Sequence, residues 1–342
     1  MATAIAPIVI YVISLLVPLI LTFVGIPFHI KYMQQRGIFG VDIHKKEQPK
    51  VAEMGGIIVL LSIILTSLLL IIIIKDSDIR LTVGIFCITI TIAGIIGLVD
   101  DFFRLSAIIK PLLLLLASIP IIASGRYIPE PFLPFVGKTR LTIIYIVLLP
   151  FVIAVPSNSV NMLDVFNGSM ATATILVLFA VFFANMIIFR NGYSELDLTY
   201  VFIFIMIGTL IAFWIFNRYP ARVFAGDTGS LTVGAALGAI AVMGQLEVVM
   251  IIAMIPFIMN SFGIISSVKG LLERREMVRP TRMTSDWKIE STGDPKAPIT
   301  LVGLIIKKGA LHEKDVVKSI NILTFISGVF AIITAVLIRI VV

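Results

Sequence analysis

Three short stretches of an otherwise greasy chain place carboxylates and carboxamides where they could share one ligand. "DDFFR" sets Asp100 and Asp101 side by side, with Arg104 three residues on, against the end of a long apolar run. "SNSVNMLD" spaces Asn158, Asn161 and Asp164 by three and three, which on a helix lines three polar side chains along one face. "AGDTGS" puts Asp227 at a turn where Gly226 and Gly229 let backbone approach a ligand, while Thr228 and Ser230 are placed to cap the following helix. Each stretch has a plainer reading as well. An acidic pair can cap a helix end or solvate a loop, and asparagines supply interhelical hydrogen bonds in membranes. Yet adjacent carboxylates repel, and a helix C-terminus, where Asp100 sits, carries negative dipole charge. A cation relieves both problems. Asp227, facing the same cavity, is read as a metal ligand.

Oxygen donors without His or Cys companions select a hard cation. Mg²⁺ fits best, with Mn²⁺ as an alternative. His29, His44 and His312 show no zinc-ligand spacing, and the single cysteine, Cys87, excludes disulfides within the chain and cysteine metal sites. Basic groups stand near the acids: Lys45, Lys46 and Lys50, then Arg104, then Arg279 and Arg282 in "RPTRM". Acids, bases and a divalent cation together suggest phosphate handling.

The elements that position these groups follow from composition. The 342 residues are 59% hydrophobic and only 14% charged, with a mean hydropathy of +1.10, far from the roughly 45–50% apolar and 25% charged of soluble domains. The expected fold is all-α, an integral membrane bundle in one domain over residues 1–342. Apolar runs near the ~20 residues needed to cross a bilayer fall at roughly 5–25, 55–74, 81–99, 111–124, 141–155, 170–189, 200–217, 229–244, 248–268 and 320–341. That makes ten spans, of which the fourth, fifth and eighth are short. The first lacks a basic n-region and a cleavage site, so it reads as a retained helix.

Sorting alternate loops places twenty of the 27 basic residues on one face and seven on the other, the latter including Arg126, Arg190 and Arg339. Lys and Arg accumulate in cytoplasmic loops, so the richer face is expected to be cytoplasmic, with both termini outside. Every polar cluster falls on that face, as does the long polar stretch from about Lys269 to Ser319, within which "ITLVGLII" reads as a short strand or an interfacial segment. "NGS" at Asn167 matches a glycosylation acceptor but lies on the wrong face. "RYIPEPFLPF", with three prolines, reads as an extended connection.

In that order and at those helix ends, "GLVDDFFRL", "NSVNMLDVFNG" and "VFAGDTGSL" resemble the polyprenyl-phosphate N-acetylhexosamine-1-phosphate transferases. The family includes the bacterial muramoyl-pentapeptide translocase and the dolichyl-phosphate GlcNAc-1-phosphate transferases. The resemblance implies that Asp227 binds Mg²⁺, that Asp100 and Asp101 are the essential acidic pair, and that Asn161 and Asp164 serve the nucleotide-sugar site. It further implies an aromatic near the uracil at Phe224, phosphate binding by Lys45, and a basic residue at Arg104. Two departures matter. "VRPTRM" stands where the bacterial enzyme carries histidines, and Asn167 stands where it has an aspartate. Both argue for UDP-GlcNAc over a muramoyl-pentapeptide donor.

The expected reaction passes GlcNAc-1-phosphate from UDP-GlcNAc to a polyprenyl or dolichyl phosphate, releasing UMP. Another UDP-N-acetylhexosamine donor would serve the same chemistry. Asn158, Arg279 and Arg282 join the expected substrate-binding set, with no nucleic-acid partner and a homodimer as a compatible assembly. The membrane would be the plasma membrane of a prokaryote, or the endoplasmic reticulum of a eukaryote. A transporter is the rival, but transporters place ionisable groups near the midplane and often show paired halves. Here the acids sit at helix ends and no repeat is visible.

Overall fold

The computed structural model describes residues 7–189, 196–272 and 276–341. Arg190, Arg274 and Arg275, which enter the basic-residue split, lie outside them. Helix α1 (Pro7–Arg36) is followed by the two-stranded ribbon β1 (Phe39–Val41) and β2 (Lys50–Ala52), then α2 (Gly56–Ile73) and α3 (Ser77–Phe103). Short α4 (Ile109–Leu115) and α5 (Ile119–Ser124) lead to a second ribbon, β3 (Phe132–Leu133) and β4 (Gly137–Lys138). Next come α6 (Thr142–Leu163), α7 (Ser169–Phe189), α8 (Leu198–Asn217), α9 (Gly226–Met243), α10 (Glu247–Ala253) and α11 (Ile255–Ser267). A third ribbon, β5 (Thr281–Met283) with β6 (Ile289–Ser291), precedes α12 (Leu301–Ile305) and the long α13 (Glu313–Val341). All three ribbons are antiparallel.

The protein is an all-α polytopic membrane protein. Among the described residues, eight helices are long and apolar enough to cross a bilayer, or nine if the bent pair α10–α11 is one span. All ten apolar runs are helical, but two are not simple crossings. The fourth, Ile109–Ser124, is too short and is interrupted by a 3₁₀ turn at Leu116–Ser118, just ahead of Pro120. The ninth bends by 70° where Pro256 opens α11, because proline lacks the N–H that would continue the preceding helix. The fifth and eighth runs are full helices of 22 and 18 residues. The polar residues that flank those two apolar runs belong to the helices.

Helix α9 is the axis of the bundle, with 83% of its span window buried. Its sequence, "GDTGSLTVGAALGAIAVM", explains why. Apolar side chains gain little by leaving lipid for protein, so membrane helices associate through close packing of small residues. A Cβ at Gly56 of α2 would fall on the backbone of Gly229, and one at Gly97 of α3 would come 2.5 Å from the carbonyl oxygen of Asp227. On the other side, Gly234 and Gly238 take the backbone of α6 at Pro156–Ser157 and Val152–Ile153. These contacts bring the start of α9, the end of α3 and the end of α6 to one end of the bundle. Helix α1 runs toward that end and α13 away from it, so Pro7 and Val341 lie at the opposite end, where Val341 approaches Gly137 of β4.

The stretch "ITLVGLII" does not form the short strand that is one of its two readings. Thr300 accepts a hydrogen bond from the Gly303 amide at 2.9 Å and starts α12, so a local cap outweighs the β-branched composition. "RYIPEPFLPF" is mainly connection, with Phe132 buried at the start of β3.

Gly56→Ala should lower the thermal midpoint of the detergent-solubilised protein, because its methyl meets backbone that cannot yield. A loss at the upper end of the ~1–3 kcal/mol typical of overpacking is expected. Gly84→Ala, whose new Cβ would meet only Ile71 Cδ1 at 3.8 Å, should leave the midpoint unchanged or raise it. Equal behaviour of the two variants would contradict the packing described for α9.

Candidate active site

The acidic end of α3 meets the start of α9. Asp101 accepts hydrogen bonds from the backbone amides of Asp227 at 2.7 Å and Thr228 at 3.0 Å, and from the Thr228 hydroxyl at 2.6 Å. The cap of α9 is therefore a carboxylate from another helix. The helix has no side-chain cap of its own, contrary to the expectation for Thr228 and Ser230. Gly226 makes this fit possible: its φ is +71°, and a Cβ there would stand about 3 Å from the Asp101 carboxylate. The unfavourable placement of an acid at the C-terminus of α3 is resolved by facing it to the positive N-terminus of α9.

Asp100 is 4% exposed. Its carboxylate receives the Leu105 amide and is ion-paired to Lys110. The same Lys110 ammonium reaches Asp227 Oδ2 at 3.2 Å. Asn161 donates to Asp227 Oδ1 and to the Ser230 hydroxyl, the latter at 2.8 Å. Residues 100, 101, 161 and 227, expected to converge, do so. Asp227 keeps a side chain 29% exposed, so a ligand can reach it.

Lys110 was read from sequence only as one of many basic loop residues. A signal was available: it stands at the head of an apolar helix, where a cation opposes the macrodipole, a mirror image of the acid at the end of α3. Glu53 was likewise missed. A Cβ at Gly40 would contact both the Glu53 carboxylate and the Phe224 ring, which places those side chains together beside the acid cluster. Burial pushes the Glu53 carboxyl up; the neighbouring Asp101 charge adds to this and Arg104 opposes it. Phe224 is held by its amide on the Ala52 carbonyl and its carbonyl on the Gly55 amide, both 2.8 Å. Arg104 caps α3 in a left-handed conformation with φ 53°, its side chain exposed.

Lys45 and Asn167 belong to a second polar group. Lys45 is ion-paired to Asp42 and, at 3.1 Å, to Glu313 at the start of α13. Asn167 donates its side-chain amide to Asp42 and its backbone amide to Glu313, both 2.9 Å. It is buried, which removes it as a glycosylation acceptor. Asp42, His44 and Glu313 have ligand atoms close enough for a metal, but the Lys45 ammonium already neutralises the two acids. Three expected residues join neither group. Asn158 donates to the Ala154 carbonyl of its own helix at 2.9 Å. Arg282 pairs with Glu290 across the exposed β5–β6 ribbon at 2.7 Å. Arg279 is exposed beside that ribbon, its carbonyl accepting from Thr292. Asp164 ends α6, one turn beyond Asn161.

The donor atoms around Asp227 are all oxygens apart from the Asn161 amide and the Lys110 ammonium, and Lys110 marks a point where two carboxylates already hold positive charge. That donor set suits Mg²⁺ or Mn²⁺, with Asp227, partly exposed, as the residue able to hold it.

The family model described as glycosyl transferase family 4 matches residues 82–245, which contain all three motifs. A Methanocaldococcus jannaschii protein provisionally described as a glycosyltransferase is 30% identical over 326 residues, covering 94% of this chain and 97% of its own. A Saccharolobus solfataricus protein provisionally described as a UDP-N-acetylglucosamine–dolichyl-phosphate N-acetylglucosaminephosphotransferase is 28% identical over 335 residues, 95% and 97% of the two chains. A phospho-N-acetylmuramoyl-pentapeptide-transferase of Clostridium novyi is 34% identical over 226 residues, 62% and 66% of the two. The chain belongs to glycosyl transferase family 4, the polyprenyl-phosphate N-acetylhexosamine-1-phosphate transferases whose motifs it carries at the ends of α3, α6 and α9.

Proposed function

We propose that the chain transfers N-acetylglucosamine 1-phosphate from UDP-GlcNAc to a polyprenyl phosphate of the dolichyl type. An oxygen of the lipid phosphate bonds to the β-phosphorus of the donor as the bond to UMP breaks, leaving GlcNAc-diphospho-lipid in the membrane. The observation that carries this reading is the convergence of Asp100, Asp227, Asn161 and Lys110 at one end of the bundle. The activities named for the relatives support it, as do Asn167 and the arginines of "VRPTRM". The twenty-to-seven split of basic residues supports a cytoplasmic site.

Both reactants are anions, and two unit charges 4 Å apart repel by about 4 kcal/mol at an effective dielectric near 20. Positive charge is needed for approach as well as for reaction. Lys110 supplies it at the cluster, and its two carboxylate partners aim it. Asp227 would hold the divalent cation, which when bound supplies Lewis-acid neutralisation of the diphosphate. Asn161 fixes the Asp227 rotamer, and Asp101 fixes the backbone that carries Asp227. Phosphate monoesters have a second pKa of about 6, so the acceptor is largely ionised at neutral pH and no dedicated base is needed. The reaction is then a direct displacement.

Purified protein given UDP-GlcNAc and a polyprenyl phosphate should release UMP, lose that activity to a chelator and recover it with Mg²⁺. Asp227→Asn and Lys110→Ala should each lower kcat by about 10²–10³-fold, as removal of a charge-stabilising group typically does. UDP-sugar uptake into vesicles with no UMP released by folded protein would instead support transport, and a panel of UDP-N-acetylhexosamines fixes the sugar. A trapped phosphoryl-enzyme would refute direct displacement.

The raised Glu53 carboxyl means the folded state binds its proton more tightly than the unfolded chain. Its contribution is therefore present below the unfolded value near 4.5 and is lost as pH rises through the higher folded value. Glu53→Gln should gain thermal stability over the wild type at pH 7.5 and not at pH 4. A pH-independent difference would refute the shift.

A further inference from the structure

We propose that the groove between α7, the end of α8 and the first half of α13 is a binding site for an anionic glycerophospholipid of the surrounding bilayer, separate from the acid cluster. The groove is open, with a volume of about 490 Å³. At its upper end stand Arg218, Lys314 and Lys318, all exposed, and among the described residues none of the three is ion-paired to a carboxylate. Two are held in place by aromatic faces: the Arg218 guanidinium lies 5.0 Å from the Trp214 ring centroid, and the Lys314 ammonium 4.5 Å from that of Tyr219. Glu313 also lines the groove, but its charge is spent inward on Lys45 and the Asn167 amide.

Further along α13 the lining turns apolar. Ile322 and Phe325 follow Lys318 at helical spacing, with Val317 one turn after Lys314, so one face of the helix passes from cationic to greasy over about three turns. Ile322 and Phe325 are 51% and 60% exposed. Between the two zones, Thr172 donates to the Asn321 amide oxygen at 3.0 Å, closing the floor. Cations at the helix ends above apolar surface match a lipid phosphate above its acyl chains, and basic pockets between membrane helices take such headgroups. A free phosphate would use only the upper half, and an uncharged lipid only the lower.

The inference does not depend on the transferase reading, because lipid retention is measured without catalysis. Native mass spectrometry of the detergent-purified full chain, titrated with phosphatidylglycerol or phosphatidylcholine of matched chains, should show at least about fivefold stronger retention of phosphatidylglycerol. Lys314→Ala combined with Lys318→Ala should cut that retention at least tenfold and bring the ratio near one. The double arginine variant should restore it, and Lys296→Ala, which does not line the groove, should change nothing. Elution as a single species and an unchanged thermal midpoint establish that the variants are folded. Equal retention of the two lipids, or undiminished retention in the double alanine variant, overturns the proposal. So does displacement of phosphatidylglycerol by inorganic phosphate at millimolar concentration, or preference of the site for a polyprenyl phosphate.

Discussion

The geometry of the site end depends on one contact, the Asp101 carboxylate seated on the first amides of α9. The opening amides of a helix have no partners within it, and a buried amide left unpaired costs about as much as a lost hydrogen bond. Asp101 satisfies two of them and the Thr228 hydroxyl, and hydrogen bonds to a charged group are worth roughly 1.5–3 kcal/mol each. The contact needs α3 and α9 closer than ordinary side chains permit. Gly97 on one helix and Gly226 at the start of the other remove the obstructing atoms. The same closeness sets where Asp227 points, since its backbone is what Asp101 grips.

From this follows the division of labour between two adjacent carboxylates. Asp101 is committed to backbone; Asp100, one residue earlier, turns to Lys110 and the Leu105 amide. Neither competes with the other, so their mutual repulsion is divided between two separate positive partners, a helix N-terminus and an ammonium. Asp227 shares the ammonium but also accepts from Asn161, and its side chain stays partly exposed. The second polar group, around Lys45 and Asn167, ties the β1–β2 ribbon and the starts of α7 and α13 together by the same device of one lysine between two carboxylates.

Much of this was legible beforehand because charge is expensive near lipid. Asp100, Asp101, Asn161 and Asp227 stand out against apolar runs, and the argument that an acid at a helix C-terminus wants a cation pointed to a metal or a cationic ligand, where the structure places Lys110. The length of apolar runs located the apolar helices, since a membrane helix must be about 20 apolar residues long. It did not show that prolines would bend the ninth or that a 3₁₀ turn would break the fourth. Residues whose role depends on long-range pairing were misplaced or missed. Lys45 could be seen as a cation near acids, but its partners Asp42 and Glu313 are separated by most of the chain. The asparagine stripe predicted three inward side chains, yet Asn158 satisfies itself on its own helix, an option that spacing cannot distinguish. Arg282 lies on, and Arg279 beside, a ribbon whose position relative to the bundle no local pattern encodes.

Lys110 has one partner near it in sequence and one far away. Asp100 is ten residues upstream, across the tight turn between α3 and α4, while Asp227 is made more than a hundred residues later. During synthesis the first pair can close as soon as that hairpin enters the bilayer, so Asp100 is neutralised before its eventual neighbour exists. The arrival of α9 then converts a local, provisional ion pair into a shared one. Insertion of the N-terminal helices can thus proceed without an unpaired buried acid.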